Sequence, residues 1–179
     1  LHLLYIRSLK ERKITQFYNT IYLDWKSPMK HFTDLIAECL TEVDEFFPWD
    51  LEEKLEAKSD LLMVDVREPA EYAAFHIPNS INVPRGILET SCEWDYEETI
   101  PELVQARNRE VIVICRSGNR SVLAAHTMKR MGYKNIASLK TGVKGWNDSE
   151  LPLRDGEGNE LDVDDVDEML VTRIREDQK

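Results

Sequence analysis

A cysteine followed by two arginines in a short polar segment is the feature of this sequence best suited to chemistry. Cys115 follows four consecutive β-branched residues, 111–114, which predict a strand buried on both faces. The segment RSGNR comes next, and an apolar helical pattern then continues to Gly132. A strand, a tight loop and a helix in this order place the cysteine sulfur at a helix N-terminus. Backbone N–H groups without intrahelical partners can converge there on an anion.

These surroundings predict a nucleophilic thiolate. A helix terminus stabilises a charge by about 0.3–1 kcal/mol, and by up to about 2 kcal/mol when it is partly buried. Because about 1.36 kcal/mol corresponds to one pKa unit, this matters for a thiol whose free pKa is about 8.5. Hydrogen bonds to the sulfur, together with Arg116 and Arg120, act in the same direction. We therefore expect Cys115 to be substantially ionised at neutral pH. The alternative is a cysteine that is merely buried, as free cysteines often are.

The spacing from Cys115 to Arg120 is C-x4-R, and CRSGNRS resembles the active-site loop of the rhodanese-type sulfurtransferases. The resemblance implies that the cysteine carries sulfur as a persulfide. It also implies that the loop binds the substrate through Arg116, Ser117, Gly118, Asn119, Arg120 and Ser121. Related phosphatases on the same scaffold have a C-x5-R loop, which is one residue longer and cradles a phosphate. Because the shorter loop leaves less room for a tetrahedral oxyanion, the sequence favours sulfur transfer.

A second block of resemblance covers residues 65–84, DVREPAEYAAFHIPNSINVP. Its matching residues are Asp65, Arg67, Glu68, Glu71, Tyr72, His76, Ile77, Asn82 and Pro84. By the resemblance, Asp65 helps to fix the active loop and Arg67 pairs with neighbouring acids, and a purely structural ion pair is the alternative. We expect His76 to be structural. Phe75 stands where the family usually has glycine, so the local helix is expected to end without a left-handed residue.

A third block covers residues 139–153, LKTGVKGWNDSELPL. Gly142, Trp146 and Pro152 match the family pattern, whereas Thr141 replaces its first glycine. Trp146 is predicted to anchor the core, and the turn at 140–142 to line the mouth of the pocket. The resemblance as a whole covers roughly residues 50–153, and the three blocks follow one another within it. They imply the rhodanese fold, an α/β domain with a central parallel sheet of about five strands flanked by helices on both faces. The alternation of strands and helices supports this fold independently.

The composition limits the classes of partner and cofactor. A chain of 179 residues is long enough for one core with extensions. Its net charge of −11 argues against nucleic acid and anionic membranes as partners, and no apolar run approaches the roughly 20 residues of a spanning helix. The three cysteines form no CxxC motif, and the four histidines have no ligand spacing. We therefore predict no metal, no organic cofactor and a reducing, cytoplasmic location.

The chain carries extensions on both sides of the domain. Residues 1–28 hold five basic and two acidic residues, an excess of 5 − 2 = +3, without the apolar core of a signal peptide. Because the chain begins with Leu1 and Met29 precedes a helical pattern, we expect the native start at Met29, and a genuine basic arm is the alternative. Apolar positions three and four apart predict an amphipathic helix at 29–48, with Cys39 packed on its apolar face.

The C-terminal segment 154–179 is predicted to be a solvated or partner-facing acidic tail. From Asp155 onward it carries ten acidic and three basic residues, a net charge of 3 − 10 = −7. Its DVDDVDE run resembles a calcium loop only superficially, because the required glycine is missing. Cys92 lies between polar residues and could be exposed. It could there resolve a persulfide on Cys115 as a disulfide.

The predicted reaction has two half-reactions with a covalent intermediate. A small-molecule donor such as thiosulfate transfers its outer sulfur to Cys115, and a thiol or protein acceptor, or cyanide in vitro, then removes it. One alternative is a persulfide carrier that docks through the 29–48 helix and the acidic tail and turns over little thiosulfate. The other is a phosphatase or arsenate reductase on the same scaffold.

Overall fold

The strand of four β-branched residues lies at the centre of a parallel sheet. A computed structural model describes residues 29–57 and 60–179, so the basic segment 1–28 lies outside the described residues. The strands are β1 (Asp44–Phe46), β2 (Leu61–Asp65), β3 (Ile81–Asn82), β4 (Glu110–Ile114) and β5 (Asn135–Leu139). Their spatial order is β1-β5-β4-β2-β3, and all pairs are parallel. Because β4 is central, its residues 111–114 are fully buried, as predicted.

Helices cover both faces of this sheet. They are α1 (Phe32–Cys39), α2 (Pro48–Glu56), α3 (Pro69–Ala74), α4 (Leu88–Ser91), α5 (Pro101–Gln105), α6 (Asn119–Arg130), α7 (Gly142–Asp148) and α8 (Val163–Leu170). One face packs against α4, α5 and α6, and the other against α2, α7 and α8. Successive residues of β4 alternate between the two cores, as the pleat requires. In the described part of the chain, no helix is long and apolar enough to cross a membrane.

The prediction of one amphipathic helix over residues 29–48 is wrong for the residues after Cys39. Helix α1 ends at Cys39, and Asp44–Phe46 forms β1, which pairs with β5 from Asp44↔Ala137 to Phe46↔Leu139. Without β1, the polar backbone groups of β5 would form an open sheet edge. The apolar residues of a three-residue strand fit a helical spacing equally well, so periodicity could not separate the two structures. Cys39 is buried beside Ile36 and Val122, which confirms its packing role.

The segment predicted as a solvated acidic tail is partly a structural helix. Within 154–179, α8 buries Val166 and Leu170 in the same core as α7. The Asp162 side chain caps α8 by accepting a hydrogen bond from the Asp164 N–H. Acidic residues in the first turn of a helix also interact favourably with the helix dipole. The acids of this stretch therefore start a helix whose apolar residues reach the core, and the prediction of solvation was wrong for α8.

Two further predictions concern buried side chains. Cys92 is fully buried, which excludes the exposed position that its polar neighbours in the sequence left open. Helix α4 directs this part of the chain into the core on the α6 side of the sheet. Burial raises the pKa of the Cys92 thiol, although Tyr133 and Arg107 partly oppose that shift. Trp146 is 2% exposed and donates its indole N–H to the Pro152 carbonyl at 3.0 Å, which confirms its role as a core anchor.

Candidate active site

Cys115 directly follows β4 at the carboxyl edge of the sheet, where parallel α/β folds place their sites. Its side chain is 1% exposed, and its Sγ accepts a hydrogen bond from the Gly118 N–H at 3.2 Å. Gly118 has a φ of +93°, a left-handed conformation that turns the chain sharply into α6. The Gly118 carbonyl accepts from the Val122 N–H at 3.1 Å and so begins the helix. The Cys115 sulfur therefore lies at the N-terminus of a twelve-residue helix.

Two buried serines surround the same sulfur. Ser121 Oγ lies 3.4 Å from Cys115 Sγ and 2.8 Å from the Gly118 carbonyl. Ser138, on β5, donates its hydroxyl to Ser121 Oγ at 2.8 Å. Because the Ser138 hydrogen already points at Ser121, the Ser121 hydrogen is available to the sulfur or to the Gly118 carbonyl. The sulfur thus faces an N–H donor and a hydroxyl that can donate, and both stabilise negative charge on it.

The beginning of α7 clamps the active loop from the other side. The Val143 N–H donates to the Cys115 carbonyl at 2.9 Å, and the Lys144 N–H donates to the Arg116 carbonyl at 3.0 Å. A Cβ added to Gly142 would lie 2.2 Å from the Cys115 carbonyl oxygen, so only glycine permits this approach. The preceding Thr141 has a φ of +66° at the position where the family pattern has glycine. The Thr141 side chain lies directly against Gly145. A Cβ added to Gly145 would lie 1.7 Å from Thr141 Oγ1.

The two arginines of the loop both bind protein acceptors. Arg120 forms a bidentate ion pair with Glu71 of α3, with both N···O distances at 2.8 Å. The hydrogen bond from Arg120 is the main cause that lowers the pKa of Glu71, and the same bond raises the pKa of Arg120. Arg116 donates to the Leu170 carbonyl at 2.5 Å and lies 3.4 Å from Thr172 Oγ1. The structure therefore ties the loop to α3 through Arg120 and to the end of α8 through Arg116.

The remaining predicted loop residues differ in exposure. Ser117 and Asn119 are exposed, whereas Gly118 and Ser121 are buried against the sulfur. The sequence predicts that backbone N–H groups of this loop converge on an anion, and the Gly118 N–H donates to the sulfur.

Asp65 and Arg67 form a buried ion pair beside the loop. The Asp65 carboxylate accepts from Nε and Nη2 of Arg67 and from its backbone N–H, at 2.7–3.0 Å, and both residues are fully buried. Arg67 Nη2 also donates to the Phe75 carbonyl at 2.6 Å. The Asn82 amide bridges the carbonyls of Asp65 and Arg67, each at 3.0 Å. The ion pair and the Asn82 amide thereby join the ends of β2, α3 and β3.

Phe75, which departs from the family pattern, is accommodated by an extended backbone and by burial of its ring. Phe75 is extended, with φ −165° and ψ 146°, so α3 ends without a left-handed residue, as expected. Its ring is buried, and the Arg67 guanidinium lies 4.9 Å from the ring centroid. His76 stacks on Tyr72 at 4.1 Å, and its Nδ1 lies 3.0 Å from the Tyr72 carbonyl. These contacts fit the structural role predicted for His76.

Sequence reasoning left three residues out of the candidate site. Glu71 matched a motif position but was given no role, although it binds Arg120. Ser138 is a polar residue in the buried, otherwise apolar part of β5 after Asn135, and this was a signal that could have identified it. Gly142 was noted for the pocket mouth, whereas it packs directly on the backbone of Cys115.

The sequence is similar to those of known proteins. The sequence matches the Rhodanese-like domain over residues 48–149. A protein of Allochromatium vinosum named "Sulfurtransferase" is 31% identical over 116 residues, which cover 65% of this chain and 99% of that protein. The Bacillus subtilis protein named "Putative sulfur carrier protein YrkF" is 35% identical over 110 residues, which cover 62% of this chain and 54% of YrkF. The matched region thus spans only about half the length of YrkF.

Solved structures show the same fold. A protein of unknown function from Rhodopseudomonas palustris, described as a "Possible Tyrosine Phosphatase", aligns with a TM-score of 0.65 at 25% identity. That alignment covers 72% of this chain and 98% of the other. A rhodanese-related protein from Thermoplasma volcanium aligns with a TM-score of 0.50 at 28% identity, over 62% of this chain and 96% of its own.

Proposed function

The chain belongs to the rhodanese-like domain family, and we propose that it is a sulfurtransferase in which Cys115 carries sulfur as a persulfide. The observation that carries the proposal is the pair of groups at Cys115 Sγ, the Gly118 N–H at 3.2 Å and the Ser121 hydroxyl at 3.4 Å. Groups of this kind stabilise an anion at the sulfur before and after it accepts a second sulfur. Sulfurtransferases and sulfur carriers among the relatives support transfer of sulfur in general.

In the first half-reaction, the Cys115 thiolate attacks the outer sulfur of thiosulfate or a related sulfane donor. The new Sγ–S bond forms as the S–S bond of thiosulfate breaks, and sulfite leaves with the electron pair of that bond. The product is the Cys115 persulfide anion, so the total charge of −3 is the same on both sides. No proton has to move, and the residues at the sulfur need only stabilise the anion.

In the second half-reaction, an acceptor thiolate attacks the outer sulfur of the persulfide. The S–S bond to Cys115 breaks, and its electron pair returns to Sγ, which regenerates the thiolate. Cyanide attacks in the same way and leaves as thiocyanate, so it serves as an assay acceptor. The chain's own residues suffice for these steps, and we propose no cofactor.

A persulfide carrier with little turnover of thiosulfate is the second candidate function. It is favoured by the protein acceptors that occupy both Arg116 and Arg120, since these arginines are less available to an anionic donor. The persulfide on Cys115 is common to both candidates, and kcat/KM with thiosulfate separates them. Efficient enzymes have kcat/KM values of about 10⁴ M⁻¹ s⁻¹ or more, so a kcat/KM far below this favours the carrier.

The proposal is tested by mass spectrometry of the protein after incubation with thiosulfate. We expect a species heavier by one sulfur atom, which cyanide removes as thiocyanate. Cys115→Ser should abolish it, whereas Cys39→Ser should retain it because Cys39 packs with Ile36 and Val122 in a separate cluster from Cys115. An adduct retained in Cys115→Ser, or absent from the native protein with every sulfane donor, would exclude the proposal. Hydrolysis of p-nitrophenyl phosphate without such an adduct would favour the phosphatase alternative.

A further inference from the structure

The positive charge of Arg120 is neutralised by the carboxylate of Glu71, which is itself held by a further hydrogen bond. Glu71 accepts from both Nη1 and Nη2 of Arg120 at 2.8 Å. Its Oε2 also accepts the Glu68 N–H at 3.2 Å, which fixes the carboxylate at the start of α3. The side chains of Arg120 and Glu71 are 36% and 34% exposed, so a small donor can reach the pair from solvent.

This ion pair lies within electrostatic range of the nucleophile. Charge on Cys115 contributes to the raised pKa of Arg120, after the larger contribution of Glu71. The pKa of Glu71 is lowered, chiefly by the hydrogen bond from Arg120, so the carboxylate is ionised at neutral pH. An anionic donor that approaches Arg120 therefore meets a fixed negative charge beside the positive one.

Two other basic residues near the loop, among the residues that the structure describes, are also held by protein acceptors. Arg116 is turned to the Leu170 carbonyl and Thr172. Lys144, at the start of α7, pairs with Asp148 at 2.8 Å. The chain as a whole carries a net charge of −11, which repels anions at long range.

We propose that Glu71 is a specificity-determining residue that makes the loop accept sulfur from thiol persulfides in preference to the thiosulfate dianion. This inference rests on the sulfur transfer through Cys115 proposed above. The Cys115 thiolate attacks the outer sulfur of a thiol persulfide, R–S–SH, and the Sγ–S bond forms as the donor's S–S bond breaks. The thiolate R–S⁻ leaves with the electron pair and the proton stays on the transferred sulfur, so the total charge of −1 is conserved.

The test compares single-turnover loading of Cys115 from thiosulfate and from cysteamine persulfide, whose ammonium group keeps its net charge from being negative in either protonation state of the persulfide. We expect the native protein to load faster from cysteamine persulfide. Glu71→Gln should raise the second-order rate constant with thiosulfate about tenfold at low ionic strength, within the range of electrostatic steering. With cysteamine persulfide the same variant should change the rate less than about twofold, because a donor of low net charge is steered little. At about 0.5 M ionic strength the gain with thiosulfate should largely disappear through screening.

Glu102→Gln is the matched control, because it removes an exposed carboxylate that pairs with Arg109 before β4, at the opposite end of the strand from Cys115. Glu102→Gln should leave the ratio of the loading rate constants for the two donors unchanged. Equal losses with both donors in Glu71→Gln, or an unchanged ratio, would overturn the inference and leave Glu71 a purely structural residue.

The native protein gives a second measurement that does not depend on the variant's folding. Its loading rate with thiosulfate should rise or stay constant as salt is added, since the site does not attract the dianion. A steep fall with salt would overturn the inference. If no donor loads Cys115 at all, the proposed function fails; if loading occurs but the donor ratio does not respond to Glu71→Gln, only the present inference fails.

Discussion

The hydroxyl of Ser121 gives the candidate site two hydrogen-bonding states without movement of any heavy atom. Its single hydrogen can point to the Gly118 carbonyl at 2.8 Å or to Cys115 Sγ at 3.4 Å. If it turns to an ionised sulfur, the Gly118 carbonyl still accepts from the Val122 N–H. Ser138 donates to Ser121 in both states. Negative charge on the sulfur can therefore gain a donor while no buried acceptor is left unpaired.

At position 142 the close approach of the Cys115 backbone leaves no room for a side chain, so glycine is required there. In Gly142→Ala the new Cβ would lie 2.2 Å from the Cys115 carbonyl oxygen, at a φ of +59°. We expect a loss of about 3 kcal/mol or more in the free energy of unfolding, from the left-handed φ and from overpacking together. Persulfide loading should also fall, because the clash displaces the loop that carries the sulfur. Urea denaturation and single-turnover loading measure the two effects.

Two other glycines separate the causes of that loss. Gly158→Ala has a positive φ but nothing near its Cβ, so it should cost only the strain of about 1–2 kcal/mol. Gly86→Ala has neither feature and should be nearly neutral. Equal stabilities for Gly142→Ala and Gly158→Ala would show that the close approach to Cys115 does not exist.

At the scale of elements, the active loop is held between the N-termini of two helices. The start of α6 presents the Gly118 N–H to the sulfur, whereas the start of α7 presents the N–H groups of Val143 and Lys144 to the loop carbonyls. The start of α7 thus supplies hydrogen bonds to the loop carbonyls, and the start of α6 supplies one to the Cys115 sulfur. Because α8 packs on α7 and also accepts the Arg116 guanidinium, the C-terminal helix supports this arrangement.

The structural role of α8 is tested by two neighbouring residues of that helix. Leu170 is 5% exposed and packed in the core, whereas Met169 is 53% exposed. We expect Leu170→Ala to lower the free energy of unfolding by about 2–4 kcal/mol through lost burial and a cavity. Met169→Ala should change it by less than about 0.5 kcal/mol. Chemical denaturation followed by circular dichroism measures both, and similar small losses would mean that the segment is a solvated tail after all.

For the whole molecule, buried groups that ionise at high pH set a limit on stability. Burial raises the pKa of the Cys92 thiol above its ordinary value, and burial also raises the pKa of the Tyr133 hydroxyl. Above about pH 9 the unfolded chain therefore releases the Cys92 proton while the folded chain keeps it. By linkage, this stabilisation is complete below about pH 9 and falls as the pH rises, by at most about 1.4 kcal/mol per pH unit for each group.

We accordingly expect the free energy of unfolding to fall as the pH rises above about pH 9, and to fall less steeply in Cys92→Ala. Urea denaturation at a series of pH values measures the slope. The cavity in the variant lowers its stability at every pH, so the slope and not the offset is compared. Cys39, whose pKa is also raised by burial, contributes equally to both chains. Parallel slopes would contradict the assignment of this effect to Cys92.

Much of the fold followed from local patterns in the sequence. The β-branched run before Cys115 predicted the central strand, and Gly118 and Gly132, both with positive φ, lie where turns were expected. The rhodanese fold is confirmed by the parallel sheet with helices on both faces and by the family match over 48–149. Such features are predictable because they depend on residues close together in the chain.

The sequence alone determined the nucleophile candidate, its loop and the scaffold, since six consecutive residues after a buried strand specify that geometry locally. Only the tertiary structure decided that residues 44–46 form an edge strand, that α8 belongs to the core and that Cys92 is buried. It alone also paired Arg120 with Glu71, and Arg116 with the end of α8. Each of these outcomes depends on partners roughly 50 or more residues away or on packing against distant elements. Periodicity and charge along the chain do not encode which distant surface a side chain will meet.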